Sequence, residues 1–370
     1  MASSDRGSER SGYNLGTVLP GNGDKPFWED DPEFDTPEKR GAQIGKVMQR
    51  QYDLVKKYVE NPVCYAALYG EIAELYKEGH VRLPEETIRV WADNGYGCMV
   101  SRRRDQENLR IPSLPAAAEN GLHGLYYHIT FHDLQASNHL TMYTGSAEFL
   151  KKELETAFSA GADDYLLLNC GNIRLHVYPL DIVRVLWSEG QIDPPTHLRQ
   201  FVMNYYSADY RSTGYDGLVE LYQSYAEAAL KSGPDADDIA GEQYYHHPAR
   251  QIIGHWLQGK EHEPDRRLDW AVGTGTFAER IQRFERKLEP AAARWDAWLK
   301  RCDEVMDELD EPDRRRAADQ LRIHGELHRS GSIGFYLLCR AYAEYRRQLT
   351  RRLSYWHRSR CGVIKKDWKR

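Results

Sequence analysis

The chain has 370 residues, of which 41% are apolar and 29% are charged. The apolar share is sufficient for a sizeable core and excludes a largely disordered protein, and the length predicts two domains. The 50 Lys and Arg residues are balanced by 56 Asp and Glu residues, for a net charge of −6. This balance excludes a chain-wide basic field that would hold nucleic acid or an acidic membrane surface.

The aromatic composition favours rings that carry a polar group, since the sequence has 24 Tyr and 9 Trp but only 9 Phe. Tyrosine and tryptophan can stack on the C–H faces of a sugar while they donate hydrogen bonds, so the excess is typical of a sugar-binding cleft. A tyrosine-rich helical core would give the same composition, and composition alone does not separate the two.

The cysteines and the apolar segments predict a cytoplasmic protein. Six cysteines are scattered without a C-x-x-C pair or a Cys/His cluster at zinc spacing, so we expect unpaired thiols and neither a metal nor another cofactor. The polar N-terminus lacks the apolar core of a secretory signal. The longest apolar runs, such as Val63–Leu68, are far shorter than the roughly 20 residues that cross a membrane.

In chain order, residues 1–35 are polar and rich in Gly, Ser and Asp, which predicts a loop. The segment Thr36–Glu60 begins with a threonine cap and Pro37 and then places apolar residues at helical intervals, so it predicts an amphipathic helix. Short apolar runs then predict strands at Val63–Tyr69, Thr87–Ala92, Gly124–Phe131 and Asp164–Asn169. Helical patterns accompany them at Ile72–Glu78, Ser146–Ala160 and Leu180–Trp187.

Strands that alternate with helices indicate parallel βα units. The segment Met99–Gly121 interrupts the alternation, because it is first charged and then rich in proline. It predicts a long loop above a strand end, and long loops inside compact domains are often functional.

From about residue 193 onward only helical patterns remain, with breaks that include Pro290 and Ser330–Gly331. They predict a helical bundle over 193–355, followed by an irregular basic tail over 356–370. The helical patterns are Gly217–Leu230, Gln243–Leu257, Phe277–Leu288, Ala291–Leu309, Arg314–His328 and Ile333–Ser354.

The α/β part, residues 36–192, has four clear strand patterns, or five if the segment around Leu15 is included. A closed (β/α)8 barrel has eight strands. The fold class is therefore α/β plus all-α, with either a small open sheet or a partial (β/α)8 barrel of the TIM type before the helical bundle.

Polar side chains follow each predicted strand. They include Glu71, Asp93, Asn94, Tyr96, His128, Asn169 and Asn172. Ligands bind at the carboxyl ends of parallel strands, so we expect these side chains to lie close together at one edge of the sheet. A turn-forming residue is the alternative at any single position, but turns have no need for tyrosine and histidine among them.

Five segments that occur in order resemble the motifs of glycoside hydrolase family 115, the xylan α-(4-O-methyl)-glucuronidases. They are GDKPFWEDD (Gly23–Asp31), LYGE (Leu68–Glu71), VWADNGYG (Val90–Gly97), LYYHITFHDLQ (Leu125–Gln135) and LLNCGNIRLHVYPLD (Leu167–Asp181). The corresponding family patterns are roughly R-G-x-x-D, Y-K-E, W-x-D-D-N-[FWY]-G, Y-Y-H and V-N-V-G-D-[LI]-K. The resemblance implies a (β/α)8 barrel followed by a helical bundle, in a truncated member that lacks the first barrel strands.

The resemblance also implies an inverting hydrolase that releases glucuronic or 4-O-methylglucuronic acid from xylan-type oligosaccharides. Such a reaction uses a carboxylic acid and a carboxylate. The motifs assign the pair to Glu71 as acid and Asp24 as base, and the two roles can be exchanged. The residues that would bind the sugar or orient the pair are Asp93, Asn94, Tyr96, His128, Asn169 and Asn172. The expected partner is a uronic-acid-bearing oligosaccharide, and a homodimer is left open.

The sequence departs from the family pattern at several positions. Pro20 occupies the place of the arginine in R-G-x-x-D, so a uronate that needs this arginine would have no bidentate partner there. Asn94 and Asn172 replace aspartates, which removes charge but keeps hydrogen bonding. Two alternatives follow: Asp24 is a solvent-exposed loop carboxylate, and the chain is an inactive fragment that at most binds uronic sugars or a protein partner.

Overall fold

The computed structural model describes residues 15–17, 26–29, 31–102, 108–117, 119–131, 135–206, 213–263 and 265–366. The chain divides into two compact units. Unit 1 comprises residues 1–131, 147–170 and 180–194, and unit 2 comprises residues 132–146, 171–179 and 195–370. The predicted boundary near residue 193 therefore agrees with the main division, but the segments after two of the strands belong to unit 2.

Unit 1 contains a parallel sheet whose strands are adjacent in chain order. Its strands are β1 (Leu15–Thr17), β2 (Cys64–Leu68), β3 (Ile88–Ala92), β4 (His123–His128) and β5 (Tyr165–Asn169). All neighbouring strands pair in parallel, so the four predicted strands are confirmed and the segment around Leu15 adds a short fifth. The order never reverses, which is the strand succession of a βα barrel rather than of a doubly wound sheet.

The sheet curls rather than lying flat. Strands β3 and β5 lie on either side of β4, yet their Cα atoms approach within 8 Å, whereas flat geometry would separate them by about 9.5 Å. On one face the rings of Tyr65 in β2 and Tyr165 in β5 stack with centroids 4.9 Å apart. Among the described residues the sheet has five strands, and the partial (β/α)8 barrel stays a prediction.

The helices of the α/β part are α1 (Pro37–Lys56), α2 (Glu71–Lys77), α3 (Ala147–Ser159) and α4 (Val177–Glu189). As predicted, the Thr36 side chain caps α1 by accepting a hydrogen bond from the Lys39 N–H. The buried residues Ile44 and Met48 of α1 pack with Ala66 of β2 and Leu75 of α2. This core fixes the start of α2 directly behind the carboxyl end of β2.

The segment between β3 and β4 contains no helix or strand in its described residues, as predicted for a long loop. Its two arms are joined by an antiparallel bridge between Val100 and Pro112. The Ser113 hydroxyl donates to the Ala92 carbonyl at 2.6 Å, and the Met99 N–H donates to the Glu153 carboxylate at 2.9 Å. The base of the loop is therefore tied to the end of β3 and to α3.

Beyond residue 193 the described residues form helices and no named strand, which confirms the predicted change of architecture. The helices are α5 (Pro194–Tyr205), α6 (Thr213–Ala228), α7 (Gln243–Leu257), α8 (Asp269–Val272), α9 (Phe277–Asp307), α10 (Glu311–Ala317) and α11 (Ile323–Lys366), with a π-helical turn at Ala318–Arg322 between the last two. Helix α5 lies inside the predicted bundle but was not among the predicted helical patterns.

Two predicted helix breaks are wrong. Helix α9 continues through Pro290, because Leu288 and Ala291 on either side are fully buried and hold the helix across the missing N–H. Helix α11 continues through Gly331, where a Cβ would lie 2.6 Å from the ring of Tyr245. Glycine at this position permits close packing of α11 against α7 and does not end the helix.

The predicted irregular tail is also wrong in part, since α11 extends to Lys366. The segment has no proline and is rich in Lys and Arg. Cations near a helix C-terminus interact favourably with the helix dipole, so this composition is compatible with a continued helix.

Unit 2 encloses a buried polar network. The Glu242 carboxylate accepts hydrogen bonds from the N–H groups of His139 and Leu140, both at 2.8 Å, and from the Thr141 hydroxyl at 2.7 Å. His324 Nδ1 accepts from the Met142 N–H at 3.1 Å. The His328 ring stacks on Trp295 with centroids 4.5 Å apart. Among the described residues, His176 has no hydrogen-bond partner at either ring nitrogen.

None of the described cysteines is in a disulfide; they are Cys64, Cys98, Cys170, Cys302 and Cys339. No helix in the described part of the chain is long and apolar enough to cross a membrane. The same residues contain no group of three His, Cys, Asp or Glu side chains that could hold a metal ion. The cytoplasmic location stays a prediction.

The buried histidines predict that unit 2 loses stability in mild acid. Burial lowers the pKa of His176 from 6.5 to about 4, and those of His324 and His328 to about 3. The unfolded chain therefore takes up protons first, so stability is full above pH 6.5 and is lost as the pH falls towards 4. At about 1.4 kcal/mol per pKa unit, His176 alone would lower the unfolding free energy by about 3 kcal/mol by pH 4.

Urea denaturation between about pH 7 and pH 4.5 measures this loss. The variant His176→Leu should have a shallower pH dependence, whereas His262→Gln, which changes an exposed histidine of the same unit, should not. An unchanged slope in His176→Leu would contradict the assignment.

Candidate functional site

The polar residues that follow the strands lie along one edge of the sheet. Residue pairing places Ala92 of β3 beside Tyr126 of β4, and His128 of β4 beside Asn169 of β5. Asp93 is the first residue after β3. Glu71 is the first residue of α2, and Gly70 makes the sharp turn before it with a φ of 55° that a side chain would strain.

Asp93 and His128 are in direct contact, and both side chains are fully inaccessible to solvent. His128 Nδ1 donates to Asp93 Oδ1, and Asp93 Oδ2 accepts from the Gly97 N–H at 2.6 Å. Both carboxylate oxygens are therefore occupied, and a carboxylate acceptor fixes the ring proton on Nδ1. Among the described residues, His128 Nε2 has no hydrogen-bond partner. We call Asp93 and His128 the buried pair.

Asn94 shapes the loop that supplies the Gly97 amide. Its side-chain oxygen accepts from the N–H groups of Tyr96 at 3.0 Å and Cys98 at 3.2 Å, and the side chain is buried. The Asn94 side-chain oxygen therefore has the role of a turn-forming residue, which was the alternative to a ligand contact. Tyr96 itself is half-buried.

A half-exposed layer of side chains covers the buried pair, and we call it the platform. It consists of Tyr69, Arg102, Tyr126, Phe131 and Asn169. The His128 ring lies 4.4 Å from the Tyr126 ring and 4.6 Å from the Phe131 ring, measured between centroids. Asn169 Nδ2 donates to Tyr126 Oη at 3.1 Å. The platform side chains reach solvent, whereas the buried pair does not.

Tyr69 and Arg102 are linked on the platform. Arg102 Nη1 donates to Tyr69 Oη, and the guanidinium carbon lies 5.3 Å from the Tyr69 ring centroid and 4.9 Å from that of Phe131. Burial, aided by the nearby charges of Asp93 and Glu71, raises the pKa of the Tyr69 phenol to about 12 although Arg102 opposes the shift. The phenol therefore stays protonated in neutral solution and can both donate and accept.

A cavity of about 20 Å³ lies between α2 and the loop, and Gly70, Asp93, Ser101 and Arg102 contribute to its lining. A cavity of this size holds about one water molecule. A sugar ring does not fit inside it, so the platform is the part of this edge that could receive one.

The predicted site residue Asn172 has a local structural role. Asn172 belongs to unit 2, where its side-chain oxygen accepts from the Arg174 N–H at 3.1 Å and caps the turn Ile173–Leu175. Asp24 lies outside the described residues.

Sequence reasoning missed four of the five platform residues, namely Tyr69, Arg102, Tyr126 and Phe131. Tyr69 and Tyr126 stand inside the quoted motifs LYGE and LYYHITFHDLQ, but only the charged and imidazole residues were selected. Arg102 begins a run of three arginines on the loop, and that run was the available signal.

Residues 11–235, more than half of the chain, match the sequence pattern of glycosyl hydrolase family 115. No curated protein matches the chain. A solved structure, described as a family 115 4-O-methyl-α-glucuronidase with specificity for decorated arabinogalactans, is similar over 85% of this chain at 14% identity and a TM-score of 0.49. The chain spans 45% of the length of that enzyme.

The buried pair predicts that Asp93→Asn destabilises the protein. The substitution replaces a charged acceptor that serves both His128 and Gly97 in a solvent-free position, so the unfolding free energy should fall by about 1–3 kcal/mol. Urea denaturation measures it, and ¹⁵N chemical shifts of the His128 ring should show that the proton no longer resides only on Nδ1.

The matched control is Asp35→Asn, which changes an exposed carboxylate that pairs with Lys39. If both variants lost the same small amount of stability, the pair would not have the structural role assigned to it.

Proposed function

The chain belongs to glycosyl hydrolase family 115, and we propose that it releases glucuronic or 4-O-methylglucuronic acid from xylan-type oligosaccharides. The observation that supports this most is the platform at the carboxyl ends of the strands. Its tyrosine rings and amide offer the combination of flat apolar faces and hydrogen-bonding groups that binds sugars. Glu71 lies at the same edge of the sheet, close enough for its charge to affect the pKa of the Tyr69 phenol.

In the proposed reaction, Glu71 donates a proton to the glycosidic oxygen while a second carboxylate removes a proton from the attacking water. The family resemblance assigns the second role to Asp24. Inversion requires the two carboxyl groups to stand about 6.5–9.5 Å apart, so that the water fits between the base and the anomeric carbon. An α-linked uronic acid would then be released as the β anomer, which NMR detects before the anomers equilibrate.

The platform would bind the sugar and the buried pair would support it. Tyr69 and Tyr126 present half-exposed rings and hydroxyls, and Asn169 holds the Tyr126 hydroxyl. Asp93 and His128 are inaccessible to solvent in this conformation, so we assign them to positioning the platform from below rather than to the first contact with the sugar.

A uronic-sugar-binding protein without catalysis is the second candidate. It is favoured by the five strands in the described part of the sheet, against eight in a complete barrel, and by Pro20 at the arginine position of the family motif. Incubation with a methylglucuronic-acid-substituted xylo-oligosaccharide separates the two functions, because hydrolysis releases free acid and binding alone releases none.

We expect Glu71→Gln to lower kcat by about 10²–10⁴-fold with little change in KM, because a general acid acts only in the transition state. An aryl uronide, whose leaving group needs little protonation, should lose much less activity than a xylo-oligosaccharide. Steady-state kinetics on both substrates measures the difference.

The matched control is Glu78→Gln, which changes an exposed carboxylate at the end of the same helix and should leave both substrates unaffected. An equal loss on both substrates in Glu71→Gln would assign Glu71 to the base or to binding. Release of no acid by the unmodified chain would reject the enzymatic proposal in favour of the binding one.

A further inference from the structure

Arg102 is held in a fixed orientation on the platform. Its guanidinium is packed on the rings of Tyr69 and Phe131 at 5.3 and 4.9 Å, and one amino group donates to the Tyr69 hydroxyl. The loop that carries it is tied by the bridge between Val100 and Pro112. Arginine stacked and hydrogen-bonded in this way loses little further freedom when it binds an anion.

The charge of Arg102 has no described partner. Within the described part of the chain, Arg102 forms no ion pair, and its Nε and Nη2 groups donate no hydrogen bond. Two adjacent N–H groups of a guanidinium match the two oxygens of a carboxylate. Two other cations in the described part of this region are engaged, since Lys77 donates to the Pro112 carbonyl and Arg110 Nη2 donates to Cys98 Sγ at 3.2 Å.

In the described part of the chain, the neighbouring carboxylates do not form an ion pair with Arg102. Both oxygens of Asp93 are used by His128 and the Gly97 amide. Glu71 and Asp93 lie close enough to influence the Tyr69 phenol, so their field opposes an added anion. A bidentate hydrogen bond from a guanidinium is among the strongest polar contacts that a carboxylate forms, and the Asp93 oxygens are already engaged by their own hydrogen bonds.

We propose that Arg102 forms a subsite for the carboxylate group of the uronic acid, a role that rests on the proposed function. The His128 ring, whose Nε2 has no hydrogen-bond partner among the described residues, lies 4.6 Å between centroids from the Phe131 ring on which Arg102 is packed. With Pro20 in place of the family arginine, the loop between β3 and β4 supplies the cation.

The test compares glucuronate with its neutral amide, glucuronamide, as ligands of the full chain in ligand-observed NMR titrations. The wild-type protein should bind glucuronate at least about tenfold more tightly, since hydrogen bonds between charged groups are worth that much or more. Added salt should weaken glucuronate binding and leave glucuronamide binding unchanged.

Arg102→Gln should abolish the preference, so that glucuronate and glucuronamide bind with the same affinity. Arg102→Lys, which keeps the charge but loses the paired donors, should retain part of it. The matched control is Arg40→Gln, which removes another arginine stacked on an aromatic ring, that of Trp28 at 5.4 Å, and should keep the full preference.

A wild-type protein that shows no preference for glucuronate, or an Arg102→Gln variant that keeps it, would overturn the subsite. If Arg102→Gln does not fold, the wild-type comparison of glucuronate with glucuronamide and its salt dependence still decide. If the preference for glucuronate depends on Arg102 but the protein releases no acid, the proposed hydrolysis is rejected and the subsite is kept. If Arg102→Gln still hydrolyses uronides with undiminished selectivity, the subsite is rejected and the hydrolysis is kept.

Discussion

The solvent-free contact between Asp93 and His128 is the constraint on which the candidate site depends. A carboxylate removed from water must have its oxygens satisfied, and here one oxygen meets the His128 ring and the other the Gly97 amide. The contact joins the ends of β3 and β4 and fixes the loop that follows β3. Removal of either partner would leave an uncompensated buried polar group, which costs more than the contact itself contributes.

The platform is a consequence of this contact. The His128 ring has Tyr126 on one side and Phe131 on another, and Arg102 is packed on Phe131. Each half-exposed side chain is therefore supported by a ring that cannot turn, because its Nδ1 is bonded to Asp93. A surface that holds its side chains in place before the ligand arrives loses less entropy on binding, which suits a sugar whose individual contacts are weak.

Much of the fold could be predicted because it depends on short-range patterns. The four apolar runs became parallel strands with ends shifted by at most three residues, and the Thr36 and Pro37 signals marked the start of α1. The failures depend on distant contacts. Pro290 and Gly331 indicate breaks locally, but burial around Leu288 and the approach of the Tyr245 ring decide that both helices continue. The platform was missed for the same reason, because the packing of Tyr69, Arg102 and Phe131 joins three segments that are separate in the sequence.

Because Arg102 lies on a loop, the charge of such a site can change while the strands of the sheet stay the same. A cation on a strand or at a strand end must fit the packing of its neighbours, whereas the segment after β3 is long and is anchored at its base by Ser113 and Met99. Arg102 lies beyond that anchor and outside the strands, so its side chain can enter the ligand region while Asp93 and His128 keep their contact. In unit 1, Arg102 on the loop recognises the charge of the ligand, whereas Asp93 and His128 support the platform. A substitution in the loop therefore alters the recognition of charge and leaves the contact between Asp93 and His128 in place.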